Sequence, residues 1–239
     1  ARLHLPTRFN FVMVSAGFVF QTLFLWRRGE AIGRCPLTSL FEVLIFLSWA
    51  TVLLYLIVGP AYRLSLMGAF TSPLAFLLQG IAQGVVGDPG PVRSGVANPW
   101  TELHGALSVV GYGAFALSCV AGTMYLVQQR QLKTRRFATF FFELPPIRDL
   151  GLANRRLLWV GLALLTLGLG AGFLAGELPG ALKLGGAAAV WALYAAILVA
   201  SRWLRLGPAR VAACSIAAFV LSLAVLCGIT LWSRSPMPG

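Results

Sequence analysis

Trp100-Thr-Glu102-Leu-His104, followed by Gly105 to Val127 without one charged side chain and then by Gln128-Gln-Arg130-Gln-Leu-Lys133-Thr-Arg135-Arg136, is the stretch that decides the fold. At ~1.5 Å per residue the uncharged run makes a helix ~35 Å long, enough to cross a hydrocarbon core of roughly 30 Å with some tilt. The basic cluster that ends it belongs on the cytoplasmic side of the membrane. His104 and Glu102 are therefore expected at the opposite, outer end of the same helix, where a ligand arriving from outside would meet them.

The rest of the chain agrees with a membrane crossing. Hydrophobic residues make up 58% of the 239 and charged residues 11%, proportions foreign to a soluble domain. A formal net charge of +12 raises nucleic acid as a partner, but the basic residues sit at the ends of apolar runs and form no interleaved basic and aromatic surface. Nucleic acid is excluded in favour of the lipid bilayer. Cys119, Cys214 and Cys227 fall inside apolar runs and Cys35 stands alone in a loop, so neither a disulfide framework nor a covalent haem attachment motif is indicated.

Seven apolar segments follow one another: Phe9 to Trp26, Ser39 to Val58, Leu64 to Ala82, the run after His104, Leu157 to Leu174, Leu184 to Ala200 and Ala209 to Trp232. The first is longer than the core of a signal peptide and lacks a small-residue cleavage site, so it reads as a retained helix. Pro73 predicts a kink or break in the third. Gln83 to Thr101, with its glycines and prolines, reads as an exposed outer loop. The aromatic run Phe137 to Phe142 beside Arg135 and Arg136 suits the lipid interface. With the loop that starts at Arg130 inside, thirteen Lys and Arg side chains lie inside and six outside, and Arg27, Arg28 and Arg34 are the discordant set. The expectation is an all-α polytopic bundle of about seven transmembrane helices in a single domain spanning 1–239, amino terminus inside and carboxyl terminus outside.

Two helix contacts are legible as well. Ser108, Gly111, Phe115, Ser118 and Gly122 share one face of the fourth helix, and Gly168 and Gly172 stand in GxxxG spacing on the fifth, a pattern of close packing. Gly185 and Gly186, followed by three alanines, predict close approach of a backbone or a flat ligand at the start of the sixth.

The order of features resembles the cytochrome c assembly (CcsA-like) membrane family. Gly33-Arg-Cys-Pro36-Leu-Thr-Ser-Leu-Phe-Glu42, Phe46-Leu-Ser-Trp49 and Leu66-Met-Gly68-Ala-Phe-Thr-Ser-Pro73 are similar to its amino-terminal half. Leu103-His104, Gly111-Tyr112-Gly-Ala-Phe115, Leu144-Pro145-Pro146, Leu164-Leu-Thr166-Leu-Gly168, Trp191-Ala-Leu-Tyr194 and Arg202 continue it in order. The resemblance implies a protein that presents or relays haem b at the outer membrane face during cytochrome c maturation, and haem-biosynthesis accessory proteins of the HemX type share the scaffold. It places the chain in a bacterial-type inner (cytoplasmic) membrane or an equivalent organelle membrane. A second membrane subunit, a maturation factor or an apocytochrome is the implied partner.

Departures from the family pattern are equally specific. Gln21 stands where the family's haem-handling members carry a histidine in the first helix, and an amide is a poor iron ligand. The turn Ala175 to Lys183 contains no aromatic residue, so the tryptophan-rich haem segment is missing, and no histidine follows Cys227. Only His104 matches a family ligand position, as a possible axial ligand to haem iron; the alternative is an interfacial histidine hydrogen-bonded to a neighbour or to Glu102. Met67, Met124 and Cys119 are weak iron donors, and Met124 lies ~30 Å along the helix from His104. Arg27 and Arg28 are candidate contacts for haem propionates or anchors at a helix end. Glu42 is either a functional polar residue or a structural one bonding the loop before Leu40 or a neighbouring helix. None of these residues points to independent catalytic activity. Two readings follow: a haem-handling factor of cytochrome c biogenesis, or a non-catalytic structural subunit of a respiratory, photosynthetic or maturation complex that has lost its haem ligands. A small-solute transporter is disfavoured by the scarcity of polar interior groups.

Overall fold

The protein was analysed as a computed structural model that describes residues 4–61, 67–87, 98–134, 145–176 and 180–232. Among them stand seven long helices and no strand: α1 (His4–Ile32), α2 (Leu40–Ala61), α3 (Met67–Ile81), α4 (Pro99–Thr134), α5 (Ile147–Leu174), α6 (Ala181–Trp203) and α7 (Pro208–Trp232). A π-helical turn, Ala82–Val86, extends α3. All seven helices are long and apolar enough to cross a membrane. The all-helical membrane bundle expected from the sequence is the observed architecture.

α4 is the central post. It packs against α5 along much of its length and also against α7 and α2, and Phe115, Ala116, Leu117 and Ala121 on it are fully buried. Small residues make this possible. A Cβ on Gly111 would stand 3.1 Å from the Gly161 carbonyl oxygen, and one on Gly161 would strike the ring of Phe115. The two backbones approach more closely than alanine would allow. Further along the same face, Asn154 of α5 donates through Nδ2 to the Ser118 carbonyl oxygen (2.8 Å) and to Ser215 Oγ on α7 (2.8 Å), which ties three helices in an apolar interior. The packing face read on α4 from Ser108 to Gly122 is thus in contact with α5 and α7.

α1 is the outlier. Phe9, Phe20 and Trp26 are largely exposed, and its neighbours are α2 and, more sparsely, α3. In a bilayer such side chains face lipid.

Four local expectations need correction. α1 does not stop at Trp26 but runs on through Arg27 and Arg28 to Ile32, because long basic side chains at a helix end reach out of the apolar zone without ending the helix. Of the kink or break expected at Pro73, the break does not occur, since α3 continues through it. The hydroxyls of Thr71 and Ser72 donate to the carbonyl oxygens of Met67 and Gly68, supplying bonds beside the one that proline removes. Gln83 belongs to the π-helical turn, not to a loop, and α4 already begins at Pro99. Gly186 is covered by a side chain, that of Ile229 on α7, not by a backbone, while Gly185 faces open space. The interface expected for Phe137 to Phe142, and the residues Arg135, Arg136, Arg93 and Glu177, lie outside the described residues.

Candidate functional site

Alternating helices bring the carboxyl ends of α1 and α5 and the amino ends of α2, α4 and α6 to one end of the bundle. This end holds His104, Glu102, Arg27, Arg28, Cys35 and Glu42. Asn98 starts the arrangement. Its Oδ1 accepts the Trp100 backbone N–H (3.0 Å), capping α4, with Pro99 in the first helical position where a missing N–H costs nothing. Its Nδ2 donates to the carbonyl oxygen of Ala175 (3.2 Å), pinning the start of α4 to the end of α5.

One turn further, His104 faces α5. Its Nδ1 lies 2.7 Å from the Gly168 carbonyl oxygen. A carbonyl oxygen only accepts, so Nδ1 carries the proton and donates it, and in the neutral ring Nε2 keeps its lone pair. Nε2 has no hydrogen-bond partner among the described residues. The contact depends on the GxxxG pair. A Cβ at Gly172 would stand 2.8 Å from Nδ1, and one at Gly168 would stand 2.6 Å from Ser108 Oγ. Trp100, one turn before His104 on α4, and Leu103 are exposed apolar side chains in the same first turns of α4.

Glu42 is fully buried and fully engaged. Its Oε1 accepts from Arg28 Nε at 2.7 Å, and its Oε2 accepts from the Thr38 N–H (2.8 Å), the Thr38 hydroxyl (2.7 Å) and the Ser39 N–H (3.2 Å). In return Ser39 Oγ accepts the Glu42 N–H (3.2 Å). That is a capping box at the start of α2, with the carboxylate also pairing a neighbouring helix. The signal is legible in the sequence as Ser39-x-x-Glu42 directly before an apolar run. The Asn98-Pro99 cap of α4 was equally readable.

Glu102 does not meet His104. Its Oε1 accepts from the Cys35 N–H at 3.4 Å, so it fastens the loop between α1 and α2 onto α4. Burial pushes the Cys35 thiol above its ordinary value, and the carboxylates of Glu102 and Glu42 push it further in the same direction. Arg27 is exposed at the end of α1. Met67 and Met124 are fully buried in one core cluster with Tyr55 and Leu150, towards the opposite end of the bundle, and Cys119 packs beside a second cluster around Phe115 and Tyr194. None of the three is brought to His104. No group of three or more His, Cys, Asp or Glu side chains suited to a metal ion occurs among the described residues. An imidazole whose tautomer is set by the Gly168 carbonyl oxygen is an iron donor that this end of the bundle offers.

Comparison with known proteins matches residues 37–236 to the family model described as cytochrome C assembly protein. Protein HemX of Brevibacillus brevis is 28% identical over 172 residues, 72% of this chain and 63% of that protein. The cytochrome c biogenesis protein CcsA of Aethionema grandiflorum is 30% identical over 132 residues, 53% of this chain and 39% of that protein. Protein HemX of Bacillus subtilis (strain 168) is 25% identical over 161 residues, 66% of this chain and 58% of that protein. The chain thus spans less than two thirds of the length of these relatives. With a family model covering most of seven packed membrane helices, this chain belongs to the cytochrome c assembly protein family.

Proposed function

We propose that this chain serves cytochrome c biogenesis by holding haem b transiently at the outer face of the membrane, with His104 Nε2 as its one axial ligand. The observation that carries the reading is the 2.7 Å contact from His104 Nδ1 to the Gly168 carbonyl oxygen. Metal-binding histidines characteristically donate their second ring N–H to a backbone carbonyl or a carboxylate, which fixes the tautomer and raises the basicity of the ligating nitrogen. Haem, when bound, would supply an iron centre that one imidazole can ligate. Arg27, exposed at the end of α1, offers positive charge to the propionates, whereas Arg28 is engaged by Glu42. The second axial position is left to a partner, either another maturation factor in the membrane or the incoming apocytochrome. The names of the curated relatives support this reading for the present chain, and a bacterial-type inner membrane or its organelle equivalent is the corresponding location.

A structural subunit is the second reading, and one observation favours it: the hydrogen bonds of Glu42 and Glu102 fasten loops and helix ends. Haem capture separates the two. Detergent-purified protein incubated with haem b is expected to show a Soret band of a weakly held complex that His104→Ala removes. Absence of capture under any condition favours the structural subunit, and a tight six-coordinate haem on the isolated chain contradicts the single-ligand reading.

A further inference from the structure

A groove of about 970 Å³ lies between α1, α2 and α3, within the size of small-molecule sites, which run to roughly 1,000 Å³. It opens sideways: Phe20 and Phe76 on its rim are 73% and 75% exposed at membrane depth. Its aromatic walls are held in place, Phe18 stacking on Trp49 with ring centroids 5.5 Å apart and Phe24 meeting Phe41 edge-on at 6.3 Å.

Behind the wall, near the middle of the Leu40–Gly59 span, sits the buried Ser48. Its hydroxyl donates to the Ala75 carbonyl oxygen (3.3 Å), so its lone pairs must accept from Gln21 Nε2 (3.0 Å) and Gln79 Nε2 (3.1 Å). A saturated hydroxyl thus orients two glutamines from different helices. Each spends one N–H on Ser48, and no other partner for either side chain occurs among the described residues. Both line the groove, and Gln83, one turn beyond Gln79, lines it as well. The pair therefore keeps two carbonyl oxygens, with two lone pairs each, and one N–H each. Across this pair acceptor capacity exceeds donor capacity, with Asn10, Ser72 and Gln83 as the further polar lining, at an otherwise apolar site where unpaired polar groups are costly. No charged side chain lines the groove among the described residues, so nothing there matches a phosphate or a propionate.

We propose that this groove binds a neutral, membrane-soluble aromatic ring carrying phenolic hydroxyls, of the hydroquinone type, which enters from the lipid between Phe20 and Phe76 and donates hydrogen bonds to the Oε1 atoms of Gln21 and Gln79. Planar shape suits the aromatic walls, and donation by the ring suits the acceptor surplus. This inference does not rest on haem binding at His104.

The probe is an isotope-labelled decyl-chain benzohydroquinone, kept reduced and titrated into the full chain in lipid nanodiscs, with empty discs as the partition control. Saturable retention of one ring per chain is expected, and the oxidised quinone, which cannot donate, should bind more weakly. Gln79→Leu and Gln21→Leu should each weaken retention roughly tenfold. Gly17→Leu is the blocking variant: Gly17 lines the groove, a Cβ there meets nothing within 4 Å, and the leucine side chain should occupy the groove and abolish retention. Absence of saturable retention, equal binding of quinone and hydroquinone, retention unchanged in both Gln79→Leu and Gly17→Leu, or a phospholipid found in place of the ring would each overturn the proposal.

Discussion

His104 and Gly168 are joined across the α4–α5 interface by a 2.7 Å hydrogen bond from Nδ1–H to the carbonyl oxygen, and the bond exists because Gly172, one turn on, has no side chain. A helix carbonyl already engaged within α5 spares a lone pair for the imidazole. Gly172→Ala places a methyl group 2.8 Å from Nδ1 and must rotate the ring or part the helices. Overpacking of this kind costs about 1–3 kcal/mol. The expected outcome is a lower unfolding temperature in detergent together with at least tenfold weaker haem capture, whereas Gly170→Ala, where nothing lies within 4 Å, should change neither.

The Arg28–Glu42 pair gives a second prediction. Glu42→Ala removes the capping box of α2 and leaves the guanidinium of Arg28, itself only 16% exposed, without this partner. Truncating one member of a buried pair is expected to cost about 3 kcal/mol. Glu42→Gln keeps acceptors for Thr38 and should retain part of that stability. Thermal unfolding of the three proteins in detergent, monitored by size-exclusion chromatography, should rank wild type above Glu42→Gln above Glu42→Ala. Equal stability of all three would show that the carboxylate is held for something other than the fold.

Cys35 should behave as a sluggish thiol. Burial and two nearby carboxylates hold its ionisation above the ordinary range, so at neutral pH the thiolate fraction is smaller than for a free cysteine and grows only as pH rises past that range. Alkylation by a membrane-impermeant iodoacetamide should be slower at neutral pH than for a free cysteine and should go on rising with pH beyond the point where a free cysteine levels off, and Glu102→Gln should speed it by removing a negative charge. Labelling from outside intact cells, with a cysteine placed at Gln131 protected, checks the orientation at the same time. Rapid labelling of Cys35 at pH 7 would contradict the buried, carboxylate-flanked setting.

Much of this was legible in the chain, and what was not has physical causes. The uncharged run after His104 made α4, and Gly168 and Gly172 announced the close approach of α5, because periodicity and small-residue spacing are local properties. Glu42 was singled out as a costly charge in an apolar segment, with bonding of the loop before Leu40 or of a neighbouring helix as its structural reading. Its partners Thr38 and Ser39 were within reach of the capping signature, but Arg28 was not, since that pairing depends on how α1 lies against α2. The π-helical turn at Ala82–Val86 left no trace in composition, where the glycines and prolines after Gln83 suggested a loop. Gln21, read only as a missing histidine, proved to share Ser48 with Gln79, a meeting of three helices that no local pattern encodes.

The central claim is that His104 acts as a ligand and not merely as a packing residue, and chemical rescue tests it most directly. His104→Gly in detergent should lose haem b capture, and millimolar imidazole should restore the Soret band, because the free base takes the place of the missing ring while the Gly168 carbonyl remains to accept its N–H. Capture that survives in His104→Gly without imidazole, or that imidazole fails to restore in a protein whose unfolding temperature is unchanged, would contradict the account.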